Sequence, residues 1–250
     1  MRWDPVQYER FEAERSRPFL DLVGRIEAVA PRRVVDLGCG TGSLTRLLAA
    51  RWPSATVEGI DSSADMIETA RSLGTRVSFE AGDVTQWAPP ADADVVVSNA
   101  VLQWVPSHRG LLRSWASALP VDAWLAFQVP GNFDAPAHAL LRDEAAAWGL
   151  DVLRHEDAVD SPASYAAVLL DAGLSVDVWE TTYLHVLSGP DPVLEWLRGT
   201  GLLPVLAALA APDAERFCAS LGKRLRAAFP PGEHGTLFPF RRIFAVAHRP

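Results

Sequence analysis

The stretch VVDLGCGTGSLTRLLAA, Val34 to Ala50, constrains this 250-residue chain more than any other. A short apolar run rich in β-branched residues ends in three glycines within five positions, and leucines at helical spacing follow. That order predicts a strand over Val34–Leu37, a bare turn, and a helix over Ser43–Arg51. Glycine lets a backbone approach a ligand closely. In an open parallel sheet the first strand–helix turn lies at the carboxyl ends of the strands, where ligands bind.

The same beat repeats downstream. Strands are expected at Thr56–Ile60, Val77–Ala81, Asp94–Ser98 and Trp124–Val129, with helices at Ala64–Leu73 and His108–Ala118. Strands apolar on both faces and alternating with helices imply a parallel sheet covered on both sides. The fold class is therefore α/β: a Rossmann-like doubly wound sheet, mostly parallel with an antiparallel edge, plus a helical cap. After Pro130 the rhythm breaks. Pro136–Trp148 reads as a helix, DVLRHEDAVD as an exposed connection, and Ser161–Ala172 as a helix capped by Ser161 with Pro162 at its first position. Leu174–Leu187 and Phe238–Ala247 alternate as two long strands, forming a hairpin-like edge around a largely helical 189–228 stretch. The expected organisation is an N-terminal helical lid over 1–29 and a ligand-binding core over 30–130. Residues 131–250 complete the core, with cap insertions at about 131–160 and 189–232.

Composition excludes several function classes. With 31 acidic against 23 basic residues the formal net charge is −8, which speaks against a phosphate-backbone partner and so against nucleic acid. Only Cys39 and Cys218 are present, so neither a disulfide framework nor a zinc cluster is indicated, and a reducing cytosol fits. The six histidines show no metal-ligand spacing. The N-terminus is charged throughout, and the longest apolar run, near Leu202–Ala211, is too short to cross a bilayer, so no membrane partner is expected.

The glycines fall at 38, 40 and 42, and Ser43 stands where a dinucleotide fingerprint needs its third glycine. Asp36, two residues before the first glycine, would repel a pyrophosphate on the turn yet attract a cationic amino group. S-adenosylmethionine carries an ammonium and a sulfonium and no phosphate. Asp61, ending the second strand in GIDSS, can accept hydrogen bonds from both ribose hydroxyls; its plainer use is a helix cap, which Ser62 or Ser63 could also supply. Asp83, in EAGDV, sits where a carboxylate could bond the exocyclic amine of adenine, or is an ordinary loop aspartate. Met66 could pack on adenine or belong to the core.

DLGCGTG, GIDSSADMI, AGDV and SNAVLQW follow one another as the motifs of class I S-adenosylmethionine-dependent methyltransferases do, and the chain resembles that family. WDPVQYERFEAERSRPF, WETTYLHVLSG, EWLRGTGLLP and FPFRRIFAVA extend the resemblance over nearly the full length, to trans-aconitate methyltransferases. The resemblance implies methylation of a carboxylate of trans-aconitate to a monomethyl ester. It assigns Asp36, Gly38 and Gly40 to the methionine end of the cofactor, Asp61 to its ribose, and Asp83 and Val84 to its adenine; Ser62, Met66 and Asn99 are counted with the cofactor-binding residues. Asn99, beyond the fourth strand, faces the methyl-transfer region, and Gln103 and Trp104 could wall it; a solvated helix start and a core aromatic are their plainer roles.

Methyl transfer from a sulfonium is an in-line displacement, and a carboxylate with pKa near 4 is already deprotonated at neutral pH, so no general base is required. Alignment and removal of water carry the catalysis. A small polycarboxylic acid does need local cations, and arginine forks match carboxylates. Arg15 and Arg17 in ERSRPF are candidates, as are Arg241 and Arg242 on the last strand and Arg198 in the cap. Tyr183 and His185, alternate residues of one strand, could offer two donors. Leu203 stands in TGLLP where an arginine is expected, which bears on the choice of acid. Competing expectations are a methyltransferase for an apolar hydroxyl or amine, a non-catalytic S-adenosylmethionine-binding module and, opposed by Ser43 and Asp36, a nicotinamide dehydrogenase.

Overall fold

The computed structural model describes residues 12–154, 156 and 158–250. Internal contacts divide the chain into two compact units. The first comprises Arg15–Pro130, Val159–Thr181 and Arg242–Pro250; the second includes Gly131–Ala158 and Thr182–Arg241.

The first unit is the sheet with its covering helices. Helix α1 (Glu12–Gly24) leads into β1 (Arg33–Leu37), α2 (Thr45–Arg51), β2 (Thr56–Asp61), α3 (Ala64–Ser72), β3 (Ser78–Ala81), β4 (Val95–Asn99), α4 (His108–Ala118) and β5 (Trp124–Pro130). The chain returns to it with α6 (Pro162–Asp171) after α5 (Pro136–Ala147) of the second unit. Strand β6 (Ser175–Leu187) and strand β8 (Gly235–His248) each begin or end here and continue into the second unit. The sheet order is β3-β2-β1-β4-β5-β8-β6. β1 through β5 pair in parallel, and β8 runs antiparallel to β5, with Gln128 opposite Phe244 and Pro130 opposite Arg242. Strand order reverses between β1 and β4, which places a crevice at their carboxyl ends. Val34, Val35, Val95, Val96, Val97, Leu125 and Phe127 are buried because helices cover both faces.

Local chemistry sets the ends. Ser63 Oγ accepts from Met66 N at 3.4 Å and caps α3, while Ser161 Oγ accepts from Ser164 N at 3.2 Å and caps α6, with Pro162 at its first position. Helix α2 begins at Thr45 rather than Ser43, because Gly42–Leu44 still belong to the turn that packs on the sheet. Strand β8 begins at Gly235, three residues before the expected Phe238, where the short β7 (Pro231–Gly232) pairs with it.

The second unit has its own core. Helices α5, α7 (Pro192–Arg198), α8 (Leu203–Ala208) and α9 (Ala211–Ala228) pack Leu141, Trp196, Leu197, Phe217 and Leu221 with Phe238 of β8. The 189–228 stretch thus holds three helices, broken at Gly199 and Leu209. In α1, Pro18, Phe19 and Leu22 are buried, as is Ile26 just beyond its end. No described helix is long and apolar enough to cross a membrane.

Candidate active site

Gly38, Gly40 and Gly42 all have positive φ, at 77°, 55° and 76°. Their surroundings differ. A Cβ on Gly38 would fall 2.1 Å from Val101 Cγ2, and one on Gly42 would fall 2.6 Å from Phe79 Cζ; one on Gly40 would meet nothing within 4 Å. Two of the glycines are therefore bare because the protein fills their space, and the third opens onto space a ligand can enter. Gly38 N and Cys39 N both donate to Ile60 O, at 2.7 and 3.0 Å, fastening the turn to β2.

Two carboxylates hold the turn. Asp36 is almost fully buried, and Thr45 Oγ1 donates to its Oδ2 at 2.6 Å. Burial pushes its carboxyl up to about 7, nearby Asp61 adds to the rise, and the Thr45 hydrogen bond opposes it. Asp61, half-buried, accepts from Gly40 N at Oδ2 and from Ser63 N at Oδ1, each at 2.9 Å. Cap and ligand grip are thus not exclusive, since each carboxylate oxygen carries two lone pairs and spends one on the backbone. Asp83 caps the 3-10 turn Val84–Gln86 through Thr85 N at 2.8 Å, which holds its carboxyl below the ordinary range. Ser62 is exposed; Met66 and Val84 are buried.

At the end of β4, Asn99 is half-buried and its Oδ1 accepts from Gln128 Nε2 at 2.7 Å. Ala100 follows with φ 57°, a left-handed conformation that an L side chain adopts at a cost of about 1–2 kcal/mol. Its N–H donates to Gln128 O at 3.0 Å, and its carbonyl accepts from Gln103 Nε2 at 2.6 Å. That bond folds Gln103 inward, leaving it 9% exposed, whereas Trp104 is 37% exposed. Beyond the turn, His108 Nδ1 donates to Val105 O at 3.1 Å, and Tyr165 OH, itself accepting from Asp160 N, donates to His108 Nε2 at 3.1 Å. Arg109 pairs with Asp160.

The remaining candidates are dispersed. Arg17 is exposed on α1; the side chain of Arg15 lies outside the described residues. In the second unit Tyr183 and His185 are buried, with His185 4.9 Å from the Trp196 ring, and Arg241 Nη1 donates to Gly131 O at 3.3 Å. Arg198 pairs with Glu195 on its own helix, and Leu203 is half-buried at the start of α8. Three contributors escaped the sequence pattern: Thr45, Gln128 and Val101. Gln128 and Val101 owe their roles to partners far away in the chain, whereas Thr45 meets Asp36 from across the glycine turn, nine residues on.

The turn suits a cationic ligand without phosphate. A pyrophosphate lying on Gly40 would meet Asp61 beside the buried Asp36, while an ammonium there would favour the ionised form of Asp36. Asp61 retains acceptor capacity for a ribose, and the open side of Gly40 admits the ligand's close approach. These residues fit S-adenosylmethionine.

Comparison with known proteins agrees. Residues 8–177 match the methyltransferase domain family. The chain is 50% identical over 260 residues to the trans-aconitate 2-methyltransferase of Streptomyces avermitilis, covering 99% of this chain and 97% of that one. It is 53% identical to the enzyme of the same name from Rhodococcus jostii, covering 98% of each. Among solved structures, a phosphoethanolamine N-methyltransferase from Haemonchus contortus in complex with S-adenosylhomocysteine superposes with a TM-score of 0.57 at 15% identity, over 94% of this chain and 52% of that one. An S-adenosylmethionine-dependent methyltransferase from Mesorhizobium loti gives 0.54 at 18% identity, over 96% and 100%. These structures share the fold. The glycine turn, its two carboxylates and the match over 8–177 lead to one conclusion: the chain belongs to the methyltransferase domain family.

Proposed function

We propose that this protein transfers the methyl group of S-adenosylmethionine to a carboxylate of trans-aconitate, forming a monomethyl ester. The observation that carries this is the identity of about half of all residues, over essentially the whole chain, with relatives named for that reaction. The family assignment alone would leave the acceptor open; likeness that runs through residues 131–250 as well as the glycine turn narrows it.

When bound, the cofactor supplies a methyl group made electrophilic by the adjacent sulfonium. The protein's part is placement and dehydration. Asp36, Gly38 and Gly40 would hold the methionine end, with Asp36 countering its ammonium; Asp61 would hold the ribose, and Asp83 with Val84 the adenine. The acceptor carboxylate arrives ionised, so no side chain has to remove a proton. Orientation of an already competent nucleophile is worth up to about 7–11 kcal/mol in favourable intramolecular systems.

A labelled-methyl assay across dicarboxylic and tricarboxylic acids, with mass-spectrometric mapping of the product, tests the proposal. Ester formation on trans-aconitate with release of S-adenosylhomocysteine is expected. Turnover confined to hydroxyl or amine acceptors would overturn it, and preference for a different acid would point to Leu203.

A further inference from the structure

The carboxyl edge of the sheet carries a row of three side chains whose hydrogen bonds have a fixed direction. Gln128 of β5 is the register partner of Asn99 on β4, and Arg242 of β8 is opposite Pro130, two residues along β5 on the same face as Gln128. Arg242 Nη1 donates to Gln128 Oε1 at 3.4 Å, and Gln128 Nε2 donates to Asn99 Oδ1 at 2.7 Å. Arg242 and Gln128 are buried; Asn99 is half-buried.

An isolated pair of amides is ambiguous, because reversing both leaves the same number of bonds. An arginine removes the ambiguity: it has five donors, no acceptor, and stays protonated. With Arg242 against it, Gln128 must turn its oxygen toward β8 and its NH2 toward β4, and Asn99 must then meet that NH2 with its oxygen. The Asn99 NH2 is left as the outward end. Ser98 pairs with Leu37, so Asn99 is level with the start of the glycine turn. The outward end is thus a donor beside the cofactor loop, where a reversed amide would offer an acceptor that repels a carboxylate.

We propose that the Asn99 NH2 binds a carboxylate of the acceptor acid, and that Arg242 and Gln128 are positioning residues that hold Asn99 donor-outward. This rests on the acid-methylating function proposed above. It assigns Asn99 to the acceptor rather than to the cofactor, and it gives the buried Arg242 a task at a distance that Arg241, engaged with Gly131 O, does not share.

The experiment begins with the unmodified protein on the acid panel. Turnover of any carboxylic acid supplies the KM to follow; no carboxylate turnover at all overturns the parent function and this inference with it. Gln128→Glu, which still accepts from Arg242 but cannot donate to Asn99, and Asn99→Asp, which has no NH2, should each raise the acid's KM about 10- to 100-fold. The calorimetric Kd for S-adenosylmethionine should stay within about threefold. Arg242→Met should raise KM similarly, Arg242→Lys should recover most of the loss, and Arg242→Met combined with Asn99→Asp should be no worse than Asn99→Asp alone. Should Arg242→Met not fold, Gln128→Glu and Arg242→Lys carry the test. In an active enzyme, an unchanged KM, additive losses, or a cofactor Kd that rises in step with KM would overturn the assignment.

Discussion

Asp61 Oδ2 accepts the backbone N–H of Gly40 at 2.9 Å, so the carboxylate assigned to the ribose also fixes the part of the glycine turn that faces open space. Asp61→Ala loses both tasks, and Asp61→Asn, with one oxygen for two backbone donors, loses part of each. Hydrogen bonds to charged groups contribute about 1.5–3 kcal/mol, so the dissociation constant of S-adenosylmethionine should rise about 10- to 100-fold in Asp61→Ala, with a smaller rise in Asp61→Asn. Calorimetry checks this, and an unaltered constant would remove Asp61 from the site.

The glycines should separate by phenotype. Gly38→Ala forces a methyl group onto Val101 in a left-handed backbone, and strain of about 1–2 kcal/mol adds to overpacking of about 1–3 kcal/mol. Its unfolding midpoint in urea should fall, and Val101→Ala should restore the packing share alone. Gly40→Ala carries only the conformational cost yet places its methyl group in the ligand's path. Near-normal stability with weakened cofactor binding is expected; stability losses equal in the two variants would contradict it.

Asp36 makes stability depend on pH. Its folded value, about 7, lies above the ordinary 3.8, so between roughly pH 4 and 7 the native state binds more protons than the unfolded chain. Stability contributed by this group is therefore full at the acid end and declines as pH rises through that window, by at most about 1.4 kcal/mol per unit. Asp36→Asn should flatten the slope in urea titrations at pH 5 and 7. Thr45→Val removes the hydrogen bond that holds the value down and should extend the decline to higher pH, its acid onset unchanged. A cationic ligand favours the ionised carboxylate, so S-adenosylmethionine should bind more tightly at pH 7 than at 5.5 and release a proton, visible as a buffer-dependent calorimetric heat.

Tyr165 is fully buried between Asp160 N and His108 Nε2. Because Val105 O can only accept, His108 carries its proton on Nδ1. Tyr165→Phe leaves two buried polar groups unsatisfied and should cost about 1–3 kcal/mol in equilibrium unfolding. Nitrogen chemical shifts of His108 should show Nδ1 as the protonated nitrogen in the parent protein.

Local chemistry made the parallel sheet readable from sequence. Val34–Leu37, Asp94–Ser98 and Trp124–Val129 are short apolar runs bounded by turn residues, and all three recur as strands within a residue or two of the expected ends. Ser161 and Pro162 likewise announced a helix start through groups adjacent in the chain. Asp36 and Asp61 were legible as an acidic pair around bare glycines; that Asp36 is sealed against Thr45 was not, since burial is set by the covering helix. The acceptor side was least legible. Nothing in RRIF tells Arg241 from Arg242; only pairing with β5 turns the second inward toward Gln128, 114 residues earlier. Tyr183 and His185 share a strand face as alternation requires, but the strand alone does not say what buries it; Trp196 of the following helix packs against His185.

The interlock of Gly38 with Val101 has a historical implication. Two loops from different crossovers share one volume, so a larger residue at 38 is closed until 101 has shrunk, and the left-handed backbone still penalises it afterwards. Drift at this spot can only begin from the valine side.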